Sequence, residues 1–261
     1  MSRKPESASE RPPMATQADT IGALLKRSNR DHVPIRTTFL QQGKGRRRTP
    51  GPMAKLISHR DERALDLYLL YRTVTSSGDY DVTLGATVWS RALGLSGGPS
   101  ALSAVSKASR RLDDLRLISR ARNGSRAKVM ILDESGSGDP YTHPGSVRQQ
   151  YFKVPHEYWT ESRHLELNLA AKSVLLIALS LDDGFVLPAE RAPDWYGISA
   201  DTANRGLRAL RDADLLDVYR SSKPAPLAPA GFALVHEHTL KPPFGPRRVP
   251  LATVTKLRTG S

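Results

Sequence analysis

The stretch from Leu84 to Asp133 constrains the fold more tightly than any other part of this chain. It reads Leu84-Gly-Ala-Thr-Val-Trp-Ser-Arg-Ala-Leu-Gly-Leu-Ser96 and breaks at Gly97-Gly98-Pro99. It resumes as Ala101-Leu-Ser-Ala-Val-Ser-Lys-Ala-Ser-Arg-Arg-Leu112 and, after Asp113-Asp114, becomes Leu115-Arg-Leu-Ile-Ser-Arg-Ala-Arg-Asn-Gly-Ser-Arg-Ala-Lys-Val-Met-Ile-Leu132. The apolar spacing predicts a helix, a turn and a second helix. Pro99 suits the first position of that second helix, where its missing N–H costs nothing. Asn123-Gly124 between two aliphatic and β-branched runs predicts a hairpin.

At about 100° per residue, Leu102, Val105, Ser109 and Leu112 fall on one side of the second helix and should pack inward. Ser103, Lys107 and Arg110 occupy the opposite side, flanked by Ser106 and Arg111. The hairpin adds Arg120, Arg122, Arg126 and Lys128, with Asn123 at its turn. Ser103 to Lys128 holds eight basic residues against two acidic ones, a net of +6. Helix, turn, helix and basic hairpin in this order resemble the winged-helix family of DNA-binding proteins. That resemblance implies double-stranded DNA as the partner, with the second helix in the major groove. An apolar back with short polar and long basic side chains in front suits that position. The bland alternative is a solvated helix face beside a charged hairpin.

A second copy follows. Gly197-Ile198-Ser199 corresponds to Gly94-Leu95-Ser96, and Leu210-Arg-Asp-Ala-Asp-Leu-Leu216 to Leu112-Asp-Asp-Leu-Arg-Leu-Ile118. The first copy carries five extra residues between these points. A repeated supersecondary unit is stronger evidence than either copy alone. In the second copy Ser199 caps a helix with Ala203, Leu207 and Leu210 inward and Asp201, Arg205, Arg208 and Asp212 outward. Asn204, Arg205 and Arg208 are its candidate DNA contacts. Ile198 to Lys223 carries a net of only +1, so this copy reads equally as a dimerisation or partner-binding unit. Tyr151-Phe-Lys-Val-Pro155, Leu167-Asn-Leu-Ala-Ala-Lys172-Ser-Val-Leu-Leu-Ile-Ala-Leu179 and Ser199 to Leu216 also resemble the winged-helix module of plasmid replication initiators. That resemblance covers about a quarter of the chain and rests mostly on apolar packing positions.

The expected fold class is therefore α+β, mainly helical, with two winged-helix domains in tandem and disordered basic tails. Residues 1–55 read as a disordered basic arm, 56–135 as the first domain, 136–150 as a linker, 151–240 as the second domain and 241–261 as a basic tail. Ser58 to Asp61 has capping-box spacing for a helix running to about Thr75, and residues 19–27 could form a short amphipathic helix.

Charge is distributed unevenly. Of the total of +13, residues 1–55 carry +8 and residues 241–261 carry +5, while the middle sums to zero. Basic arms on a neutral body suit a polyanion. Arg46, Arg47 and Arg48 lie in a Gly-containing run expected to touch phosphates or the minor groove. There is no cysteine, which excludes disulfides and thiolate metal sites. Nothing reads as a signal peptide or membrane span, so a cytoplasmic protein is expected.

One constellation invites an enzyme reading. His236-Glu237-His238 on a strand, with Tyr219 nearby, is similar to the paired histidines and nucleophilic tyrosine of rolling-circle nucleases. Glu237 replaces the bulky apolar residue between those histidines. A polar surface strand is the simpler account, and no catalytic residue, metal, cofactor or small-molecule ligand is expected. The expected function is sequence-specific duplex-DNA binding as a transcription regulator. Replication initiation on a plasmid or other mobile element is the alternative, and homodimerisation stays open.

Overall fold

The computed structural model describes residues 14–43, 45–75, 78–124, 126–144, 149–227, 229–245 and 255–256. Helix α1 (Gln17–Leu25) starts at a capping box: Asp19 N–H donates to Thr16 Oγ1, and the Asp19 carboxylate accepts from Thr16 N–H. Strand β1 (His32–Arg36) pairs antiparallel with residues Tyr151–Pro155, more than a hundred positions away. Strands β2 (Gln41–Gln42) and β3 (Thr49–Pro50) form a small hairpin, and α2 (Met53–Ser58) follows. The expected disordered arm is thus corrected for residues 14–43 and 45–55. Most of their large apolar side chains find a core: Ile21, Leu24, Val33, Ile35, Phe39, Leu40 and Met53 are buried, while Met14 stays exposed. Residues 1–13 lie outside the described residues.

The first repeat runs α3 (Glu62–Val74), β4 (Asp81–Thr83), α4 (Ala86–Ala92), α5 (Pro99–Asp114), β5 (Ile118–Asn123) and β6 (Arg126–Ile131). Its three strands lie in the order β4-β6-β5. Helix α3 starts later than the capping-box spacing predicts. Ser58 belongs to α2 and its hydroxyl donates to Lys55 O, while Arg60 turns the chain with φ +56°. Leu102 is also corrected: it is 37% exposed, and Ala101, Val105, Ala108 and Leu112 form the buried stripe. The hairpin turn sits one residue later than expected, because Asn123 is still paired, with Arg126.

The second repeat is preceded by β7 (Tyr151–Pro155), α6 (Glu157–Thr160) and α7 (Arg163–Glu166). It runs α8 (Leu169–Leu179), α9 (Ala192–Tyr196), α10 (Ala200–Asp212), β8 (Leu216–Pro224) and β9 (Phe232–Leu240). Asn168 caps α8 and Ser199 caps α10. A single bridge from Phe185 to His238 stands where β4 stands in the first repeat. The matching turns are alike in kind. Gly94 and Gly197 have φ of +66° and +65°; Arg116 and Asp214 have +55° and +57°. After each, Leu117 N–H and Leu215 N–H bond back to Leu112 O and Leu210 O. Thr255–Lys256 forms β10 on the free edge of β8. Phe244 is buried, so the expected C-terminal tail does not begin at 241; residues 246–254 and 257–261 lie outside the described residues.

One hydrophobic core continues from Ile21 to Phe244 through both repeats. Two buried ionic clusters brace it. Glu134, with no exposed surface, sits between the Arg36 and Arg72 guanidinium groups, and both stack on Tyr141. The segment expected as a linker is therefore anchored at Tyr141 and at Thr142, whose carbonyl accepts from Arg36 at 2.5 Å; residues 145–148 lie outside the described residues. On α8, Lys172 reaches across to α3 and bonds Asp66 at 2.7 Å and Glu62 at 2.5 Å. Tyr158 donates to the other Asp66 oxygen at 2.8 Å.

Candidate nucleic-acid interface

Helix α5 owes its position to its buried stripe and to a hydrogen bond of 2.9 Å between Ser109 and Tyr71 of α3. The same packing turns Ser103, Ser106, Lys107 and Arg110 to solvent. Arg111, at the flank, is half-buried and held by Asp61 at 2.7 Å. Ser103, Lys107, Arg110 and Arg111 line an open groove of about 990 Å³, whose other wall carries Arg60 of the α2–α3 turn and Arg63 at the start of α3. Its acidic side chains are mostly engaged: Asp61 by Arg111, and Glu62 and Asp66 by Lys172. Among the described residues Arg60, Arg63, Lys107 and Arg110 form no ion pair, so the groove presents cations. Arg60 and Arg63 were missed by sequence reasoning, because only the fold brings the start of α3 alongside α5.

Strand alternation divides the basic residues of the first hairpin. Arg120 and Arg122 pair across from Val129 and Ala127, on the face that is buried at the hairpin base. Arg126 and Lys128 lie on the opposite face. Arg120 is held by Asp113 of α5 at 3.0 Å, and Lys128 by Asp81 at 2.6 Å. Arg122 and Arg126 are exposed and form no ion pair among the described residues. The Asn123 side chain lies outside the described residues.

On α10, Asn204, Arg205 and Arg208 are exposed, and Arg205 is paired with Asp201 at 2.9 Å. The β2–β3 hairpin is docked here. Gln41 donates to Trp195 O of α9, and the Arg48 guanidinium stacks 5.2 Å above the Trp195 ring. Gly197 makes this approach feasible, since a Cβ there would lie 3.0 Å from Pro50 Cβ of β3 and 2.5 Å from Ala54 Cβ of α2. The run expected within a disordered basic arm is thus held beside the second helix pair at Gln41 and Arg48. It exposes Arg47 and Arg48; the Arg46 side chain lies outside the described residues. The net of +1 read from the second copy's own sequence omits these two cations.

The nuclease-like constellation is not brought together. Val218 and Arg220 pair with His238 and His236, and Tyr219 with Glu237, so the tyrosine and the histidines lie on opposite faces of the sheet. His238 is buried against Phe185, and burial pushes its imidazole down to about 4. Among the described residues no group of three or more His, Asp or Glu could hold a metal ion, and no helix is long and apolar enough to cross a membrane.

No family model, curated protein or solved structure matches the chain.

Proposed function

We propose that this chain is a sequence-specific duplex-DNA-binding protein that carries two reading heads on one core and acts as a transcription regulator without catalysis. The observation that carries the reading is the face of α5, where Ser103, Ser106, Lys107 and Arg110 stand opposite a buried apolar stripe. Short polar and long basic side chains on a packed helix fit base edges and phosphates in a major groove. The order helix, strand, helix, helix, strand, strand, with sheet order β4-β6-β5, supports the winged-helix reading of the first repeat. The matching left-handed turns extend it to the second.

Replication initiation is the second reading. The segments that resemble plasmid initiators fold as β7, α8 and α10, with α8 packed against both of the others. Selection of bound sequences from a random duplex pool by the intact chain tests both roles. A regulator recovers solitary promoter-like sites, and an initiator recovers repeats of an origin. A pool that shows no enrichment and no retained duplex defeats the DNA reading altogether.

A further inference from the structure

The β8–β9 hairpin is longer than its packing on the core requires. Its ladder runs through nine pairs, from Leu216↔Leu240 to Pro224↔Phe232. On the face that carries Leu216, Val218, His238 and Leu240, burial ends at the Val218↔His238 pair. Farther out the same face bears Arg220, His236, Leu234 and Phe232. Phe232 is 47% exposed, Leu234 53%, and Leu227 in the connecting loop 101%. Large apolar side chains gathered at an exposed tip mark a contact surface.

Charge identifies the occupant. No acidic residue occurs from Val218 to His236, whereas Arg220 and Lys223 lie within that span. Arg220 is exposed on the apolar face, and Lys223 leans back to Glu237 at 3.2 Å. Such a tip suits a polyanion. A face-to-face second copy would instead set Arg220 against its own equivalent. Six residues beyond His238 extend about 20 Å. That covers the half-turn of roughly 17 Å between a major groove and the adjoining minor groove.

We propose that, when α10 lies against the major groove, this hairpin enters the flanking minor groove and wedges Phe232 and Leu234 between base pairs, unstacking one step. This rests on the duplex-DNA reading above. Apolar wedges of this kind exchange stacking energy for a bent duplex that meets more of the protein surface.

The test uses the full chain and its selected duplex, with 2-aminopurine placed at successive positions and a dye pair at the ends. We expect a rise in 2-aminopurine fluorescence at one flanking step and a shortened end-to-end distance. The Phe232→Ser/Leu234→Ser variant should lose both while binding no more than about tenfold more weakly, 1.4 kcal/mol. Phe232→Leu should retain them. Binding with no fluorescence rise at any position overturns the wedge and leaves the DNA reading standing. So does a double-serine variant that still unstacks, or one whose sedimentation shows that a dimer has come apart. Absence of all duplex binding overturns both.

Discussion

Arg110 and Arg111 are chain neighbours in different electrostatic positions. Arg110 is exposed on the α5 face, while Arg111 is engaged by Asp61. Arg110→Ala should therefore cost about 1–3 kcal/mol in binding the selected site and relax sequence preference. Arg111→Ala should lower protein stability more than it alters base preference. Equal sequence profiles for parent and Arg110→Ala would show that the wrong face has been assigned to the groove. His238 gives a second residue-scale prediction. Its folded pKa of about 4 lies below the ordinary 6.5 because it is buried, with His236 and Arg211 adding like charge. The unfolded chain takes up that proton first, so stability present above pH 6.5 is lost as pH falls towards 4. Asp66 runs the other way: burial pushes its carboxyl up to about 6 against the pull of Lys172, so its contribution is lost as pH rises through 6. The informative quantity is thus the difference between parent and His238→Leu in denaturation midpoint at about pH 7 and pH 4.5. The difference should shift in the variant's favour at the lower pH.

Elements were legible where their signals were local. Helix α5 announces itself through Pro99 and a repeating apolar stripe, and α10 through Ser199, whose hydroxyl accepts Thr202 N–H. The Leu102 error concerns one position only: Val105, Ser109 and Leu112 are buried as expected, and Ala101 takes the place given to Leu102, a choice that periodicity alone does not resolve when alanines can serve in the buried row. Strand β1 was not legible, because a five-residue His-Val-Pro-Ile-Arg segment gains its partner only from Tyr151–Pro155. Nor was the docking of the β2–β3 loop, which depends on Gly197 and Trp195. This docking makes an element-scale prediction. Arg47→Ala/Arg48→Ala should weaken binding to all duplexes alike and flatten the salt slope by about 0.9 for each phosphate no longer neutralised. An unchanged slope would assign the loop to packing against α9 alone. Close approach of α10 to α8 supplies another. A Cβ at Gly206 would meet Ala170 O at 2.4 Å, so Gly206→Ala should force the two helices apart. Overpacking of this kind costs about 1–3 kcal/mol, read as a lower denaturation midpoint.

At the scale of the molecule, the repeats behave as parts of one body because the core has no gap between them. Charges buried at that seam are invisible to a reading that sends every Lys and Asp to the surface. Lys172 is 1% exposed, and with Asp66, Glu62 and Tyr158 it joins the first helix of one repeat to the first helix of the other. Removing one partner of a buried pair costs about 3–5 kcal/mol because the other charge is left uncompensated. Lys172→Met should therefore destabilise the whole chain, not the second repeat alone, and unfolding should remain a single transition. Asp66, already pushed up to about 6, accepts a proton readily once Lys172 is gone. The destabilisation should accordingly shrink between pH 7.5 and pH 5, as the carboxyl becomes neutral. Denaturant unfolding of parent and variant at the two pH values checks both statements. Two separate transitions would mean that each repeat holds its own core, and the two proposed reading heads would then be free to adjust their spacing. A single transition fixes that spacing, so inserting base pairs between the two halves of a selected site should weaken binding by the intact chain.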